Sequence, residues 1–149
     1  MGNWPRDFVA AFSAHNLDAV LSYFADDIFY EEVVADGVVA RGNQELRARF
    51  QGIFAAWPDM TLELKSHFFS GEHHCIEWIV SGTLTNASAD VHLRDKAESP
   101  GLPVTGKSIS YREVVIAELR GSKISRFSLY CDMMTLMRQL GIMPSSPQN

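Results

Sequence analysis

Phe24-Ala25-Asp26-Asp27-Ile28-Phe29-Tyr30-Glu31-Glu32-Val33 is the stretch in which this chain changes period. Upstream of it apolar residues recur at helical spacing, and from Ile28 they alternate as in a half-buried strand. Strand side chains repeat with period two, so Ile28, Tyr30 and Glu32 share one face while Phe29, Glu31 and Val33 share the other. If the first of these faces the core, Glu32 sits where desolvation fits a carboxyl group for proton transfer. The competing reading makes Glu31 and Glu32 surface charges on an edge strand, since acids are rarely buried unpaired.

Working outward, Asn3 can cap and Pro5 can start a helix that turns Phe8, Val9 and Phe12 to one side and ends near His15. Asn16 restarts the helical pattern, with Leu17, Val20, Leu21 and Phe24 on one side until Asp26-Asp27 breaks it. Asp36-Gly37 is a turn pair between Ile28–Val34 and Val38–Arg41, which predicts a hairpin. Gly42-Asn43 is expected to cap a third helix carrying the stripe Leu46, Phe50, Ile53, Phe54 and Trp57, stopped by Pro58-Asp59. Arg47-Ala48-Arg49 reads as the solvated side of that helix.

Strands follow at Thr61–Phe69, His74–Thr85, Lys107–Leu119 and Lys123–Cys131, joined by tight turns except between Thr85 and Gly106. That connection is longer than a compact domain needs, and reads as a lid or a disordered excursion. Asp132 leads into a helix over Met133–Leu140, with Gly141 at its C-cap and a mobile tail over 144–149. Helices first and strands after them define one α+β domain over residues 1–149.

The chain has 149 residues, 46% hydrophobic and 21% charged, a composition for a real core. A formal charge of −5 with no basic run argues against a nucleic-acid partner. The absence of a leader or a long apolar run argues against a membrane, and with the two thiols Cys75 and Cys131 leads to the expectation of a reduced, cytoplasmic protein. His73 and His74 are consecutive and point to opposite strand faces, His15 is at a helix end, and His67 and His92 have no acid or Cys at ligand spacing, so no metal is expected. No phosphate-binding loop is present and no cofactor is expected.

The order of helix, helix, Phe24-Ala25-Asp26-Asp27, hairpin, Gly42-initiated helix ending Trp57-Pro58-Asp59, then Gly106-Lys107, Ser122-Lys123-Ile124, and Tyr130-Cys131-Asp132 through Arg138-Gln139-Leu140-Gly141 resembles the SnoaL-like polyketide cyclase family. That family belongs to the nuclear-transport-factor-2-like superfamily, with ketosteroid isomerases and limonene epoxide hydrolases as relatives. The resemblance implies a cone-shaped fold, in which a strongly curved antiparallel sheet holds helices on its concave face and encloses a pocket. It does not hand over a mechanism. The cyclases' Asp acid/base and His fall on Leu129 and Val115, and the epoxide hydrolases' Arg and Asp on Trp78 and Val80. The ketosteroid isomerases' base aligns with Glu32, but their donors fall on Phe8 and Val115.

The same resemblance puts Tyr30 and Glu32; Ile76, Trp78 and Val80; Tyr111, Glu113 and Val115; and Leu129 and Cys131 on pocket faces. Glu32 is the candidate base, and Tyr30, Tyr111 or Glu113 the candidate stabilisers of a developing enolate. Trp78, Tyr111, Val80, Val115, Leu129 and Cys131 are the candidate substrate contacts. Glu113 has a structural alternative as an ion pair with Arg112 or Arg94, and the aromatic residues as ordinary core. Two readings stand: a cofactor-independent acid/base enzyme of cyclase or isomerase type acting on a small hydrophobic cyclic or carbonyl-bearing metabolite, or a non-catalytic small-molecule-binding or dimerisation module of the same fold. Ile79, Val114 and Ile116 lie on the outer sheet face and predict a homodimer through it, which sedimentation at high micromolar concentration would reveal.

Overall fold

The computed structural model describes residues 3–34, 37–90 and 106–142. Asp36 of the expected turn, His92, Arg94, residues 91–105 of the long connection and the 144–149 tail lie outside the described residues. Within them the order is α1 (Trp4–Ser13), α2 (Leu17–Leu21), β1 (Phe24–Glu32), β2 (Val38–Arg41), α3 (Gly42–Ala56), β3 (Thr61–Ser70), β4 (His73–Thr83), a 3-10 turn at Ala87–Ala89, β5 (Ser108–Arg120), β6 (Lys123–Cys131) and α4 (Met133–Leu140).

The six strands form one curved sheet in the order β2-β1-β6-β5-β4-β3. The pairings are antiparallel as expected except one, since β1 lies parallel to β6. The chain leaves β1 through a hairpin and returns to its other side only after β3, β4 and β5, which imposes that direction. Register shifts at Leu64/Ser66 and Glu118/Leu119 bend the sheet, as bulges do.

Two local expectations change. The second helix ends at Leu21, and Phe24 belongs to β1, where it pairs with Ile124 while the Ile124 N–H donates to the Tyr23 carbonyl at 2.8 Å. Asp26 and Asp27 sit within β1 in a register shift between Phe24 and Phe29. They interrupt the alternation without ending the strand.

Arg41 rather than Gly42-Asn43 caps α3, and its backbone N–H donates to Glu45 Oε2 at 2.7 Å, one turn on. Gly42 supplies the turn into the helix at φ +79°, a conformation that a Cβ would strain. At the far end α4 is as expected: Asp132 accepts from the Thr135 N–H, and Gly141 closes the helix in the left-handed region.

α1 packs on β3, α3 on β1 and α4 on β5, all against the inner sheet face. Phe8 is the centre of the aromatic core there, stacked on Trp78 at 5.8 Å and meeting Phe24 and Phe127 at 6.0 and 6.1 Å. On the outer face Ile116 and Tyr130 are exposed, while Ile79 and Val114 are half-buried.

Candidate active site

β1 carries Ile28, Tyr30 and Glu32 inward, all nearly inaccessible, while Glu31 faces outward to Arg126 at 3.2 Å. The alternation of the opening stretch is thus realised, and the edge-strand reading is not. Glu32 Oε1 accepts from the Tyr30 hydroxyl at 2.8 Å and from Arg49 Nε at 2.7 Å, and Oε2 accepts from Arg49 Nη2 at 3.1 Å. This is a two-point guanidinium–carboxylate pair with side chains only 9% and 5% exposed.

Arg49 corrects the sequence reading of α3. Arg47 is indeed solvated, paired with Asp18, but Arg49 lies on the buried stripe. Its position was readable: 49 is three residues after Leu46 and four before Ile53, on the face the helix turns inward. Burial alone would make Arg49 less basic, yet Glu32 beside it outweighs that and raises its pKa.

β5 brings in the second carboxylate. Glu113, 8% exposed, accepts from Trp78 Nε1 on Oε2 at 2.7 Å and from the Tyr111 hydroxyl on Oε1 at 3.0 Å. Trp78 stands directly opposite Glu113 in the β4–β5 ladder, so sheet register alone sets this contact. The structural alternative fails with respect to Arg112, which faces outward and pairs with Glu77. Burial pushes the Glu113 carboxyl up to about 7, against the opposing pull of the Trp78 and Tyr111 hydrogen bonds, with the Glu32 charge adding to the rise. The phenols of Tyr30 and Tyr111 are raised well above their ordinary range, chiefly by burial and then by the carboxylates that they serve.

Both carboxylates line one cavity of about 70 Å³ between the sheet and the helices. Of the expected contacts Trp78, Val80, Tyr111, Leu129 and Cys131 line it with Tyr30, Glu32 and Glu113. Val115 does not: it is fully buried behind the cavity between Ile76 and Leu129, one pair further along β5 than Glu113. Burial pushes the Cys131 thiol up to about 12, leaving it neutral and inert.

Sequence reasoning missed several wall residues, among them Arg49, Phe127 and Asp90. Asp90 follows the 3-10 turn at the start of the long connection and accepts from Trp57 Nε1 at 2.8 Å. No local pattern marks it. Among the described residues no group of three or more His, Cys, Asp or Glu side chains could hold a metal ion, and no helix is long and apolar enough to cross a membrane.

An inner sheet face roofed by helices, with a buried cavity between them, is the architecture of the nuclear-transport-factor-2-like class, and solved structures agree. A protein with a ketosteroid isomerase-like fold from Catenulispora acidiphila DSM 44928, in complex with trimethylamine, superposes with a TM-score of 0.71 at 18% identity over 94% of each chain. AclR, a hydroxylase candidate from Streptomyces galilaeus, gives 0.70 at 20% identity over 95% of this chain and 84% of its own. A SnoaL-like polyketide cyclase candidate from Shewanella putrefaciens CN-32 gives 0.73 at 10% identity over 93% and 94%. The sequence pattern of the SnoaL-like polyketide cyclases matches residues 5–140, and the chain belongs to that family. No curated protein matches the chain significantly.

Proposed function

We propose that this protein is a cofactor-independent proton-transfer enzyme of cyclase or isomerase type, acting on a small, hydrophobic, enolisable carbonyl compound, with Glu113 as its acid/base. The observation that carries the reading is a buried carboxyl group in an aromatic cavity whose pKa lies at about 7. A group poised near neutrality is present as both acid and base, which proton abstraction and return require. Trp78 and Tyr111 fix its orientation through one oxygen each. Each of those oxygens retains acceptor capacity for a substrate proton.

The role expected of Glu32 passes to Glu113. Glu32 is held on both oxygens by Arg49 and on one by Tyr30. A base clamped in that way must lose strong charge-assisted bonds to take a proton. In this reading Glu32 keeps the Arg49 guanidinium in place.

Incubation with β-tetralone in heavy water, followed by NMR, tests the proposal. The wild type is expected to accelerate exchange of the α-hydrogens, with a rate that rises as pH passes through about 7 and then levels off. Glu113→Gln is expected to abolish the acceleration and its inflection. Exchange unchanged in that variant would sink the proposal. A wild type that binds the ketone without exchange would favour the binding-module reading, which Leu129 and Val115 at the cyclases' catalytic positions motivate.

A further inference from the structure

Proton abstraction next to a carbonyl group moves negative charge onto oxygen, so the cavity must present a hydrogen-bond donor at a second point. The donors that line it can be taken one by one. The Tyr30 hydroxyl is given to Glu32 and the Tyr111 hydroxyl to Glu113. The indole N–H of Trp57 is given to Asp90, and that of Trp78 to Glu113. The Cys131 thiol is a weak donor. Neither phenol can therefore serve an enolate without abandoning a buried carboxylate.

Arg49 is different. A guanidinium carries five N–H donors, and two of those of Arg49 go to Glu32, leaving three that meet no acceptor among the described residues. The side chain lines the cavity, and none of its nitrogens is both fully inaccessible and unpartnered. The spare edge is thus open to a molecule in the cavity.

We propose that the spare N–H groups of Arg49 are the oxyanion-binding donors of this cavity, and that the substrate is a neutral ketone or ester whose carbonyl oxygen docks there. The inference rests on the proton-transfer reading of Glu113. In the step, Glu113 carboxylate takes the α-proton and becomes the neutral acid. The C–H electron pair forms the carbon–carbon double bond, and the carbonyl π pair moves onto oxygen, which accepts from Arg49. One negative charge leaves Glu113 and one appears beside Arg49, so the cavity's net charge is unchanged. Glu32 supports this arrangement by holding the guanidinium through its other edge. Because Glu32 already neutralises Arg49 and Glu113 stands on the same wall, a free carboxylic acid gains little from the site, and the neutral carbonyl is preferred.

Binding of para-nitrophenol provides a test, because its colour reports whether the bound hydroxyl group is ionised, and the phenolate stands in for the enolate oxygen. The wild type is expected to bind the phenolate and lower the ionisation midpoint by about one unit, a tenfold change in acid strength. Glu32→Gln/Arg49→Gln, which removes both charges so that neither is stranded, is expected to lose the shift while circular dichroism shows it folded. Arg49→Lys, which keeps Glu32 paired but offers a compact ammonium, is expected to reduce it, and this variant decides the matter should the double variant not fold. Glu113→Gln is expected to retain the shift.

A wild-type shift persisting in the double variant, or undiminished in Arg49→Lys, overturns the assignment. So does a wild type that binds para-nitrophenol un-ionised or not at all. The two readings fail separately: β-tetralone exchange that survives Glu113→Gln removes the proton-transfer reading, whereas only the colour change bears on Arg49.

Discussion

Glu32 and Glu113 are the same residue type on the same inner face of one sheet, equally buried, each receiving a phenolic hydroxyl from the tyrosine two residues before it. They differ in the partner beside that tyrosine. Glu32 meets a guanidinium and Glu113 an indole N–H. A cation compensates the loss of hydration that burial imposes on a carboxylate, whereas a neutral donor does so only in part. The tripeptide Tyr-Glu-Glu at 30–32 and the tripeptide Tyr-Arg-Glu at 111–113 thus build one charged clamp and one titrating group. Sheet depth does not separate them; the helix above does.

The largest expected effect comes from taking away the cation. Arg49→Met strands a carboxylate that is 5% exposed, and should cost about 3–5 kcal/mol in urea unfolding. Arg47→Ala, two positions away in the same helix but paired at the surface with Asp18, should cost less than about 1 kcal/mol. Comparable losses in the two variants would mean that Arg49 does not carry the distinction.

Next in size is the pH dependence of stability that Glu113 imposes. Its pKa is raised in the folded chain from 4.5 to about 7, so between these values the folded state holds a proton that the unfolded chain has released. The stabilisation is complete below the lower value and is lost as pH rises through the upper one, by about 3 kcal/mol in all. Chemical denaturation at pH 5 and pH 8 should show that fall in the wild type and a much flatter profile in Glu113→Gln. Parallel profiles would place the titration elsewhere.

The smallest effect sharpens the comparison from the other side. Trp78→Phe deletes the indole N–H that holds the Glu113 carboxyl down, and the group should move further up by roughly one unit. Carboxyl-selective NMR titration measures this directly. A downward movement would show that the indole acts on Glu113 by excluding water rather than by donating.

Much of the fold was legible because period and punctuation are local properties. The alternation from Ile28 to Glu32, the stripe Leu46, Phe50, Ile53 and the cap pair Asp132 and Gly141 each declare themselves within a few residues. The parallel pairing of β1 with β6 was not legible, since it follows from where a distant strand closes the sheet. At the site, Trp78 and Glu113 fell on the expected faces, but their contact depends on the register of two strands 35 residues apart.

What the sequence determined by itself is the class of fold and which residues share a strand face, because side-chain periodicity and turn chemistry act over short range; that Tyr30, Glu32, Trp78, Tyr111 and Glu113 lie on pocket faces was implied by the family resemblance and not by the period. The tertiary structure alone decided which acid is compensated. Arg49 reaches Glu32 from a helix 17 residues on, and Val115 and Trp78, both on expected pocket faces, separate into core and cavity wall. The physical reason is that ionisation in a buried site depends on distances between charges and donors, and those distances are set only when helix and sheet pack.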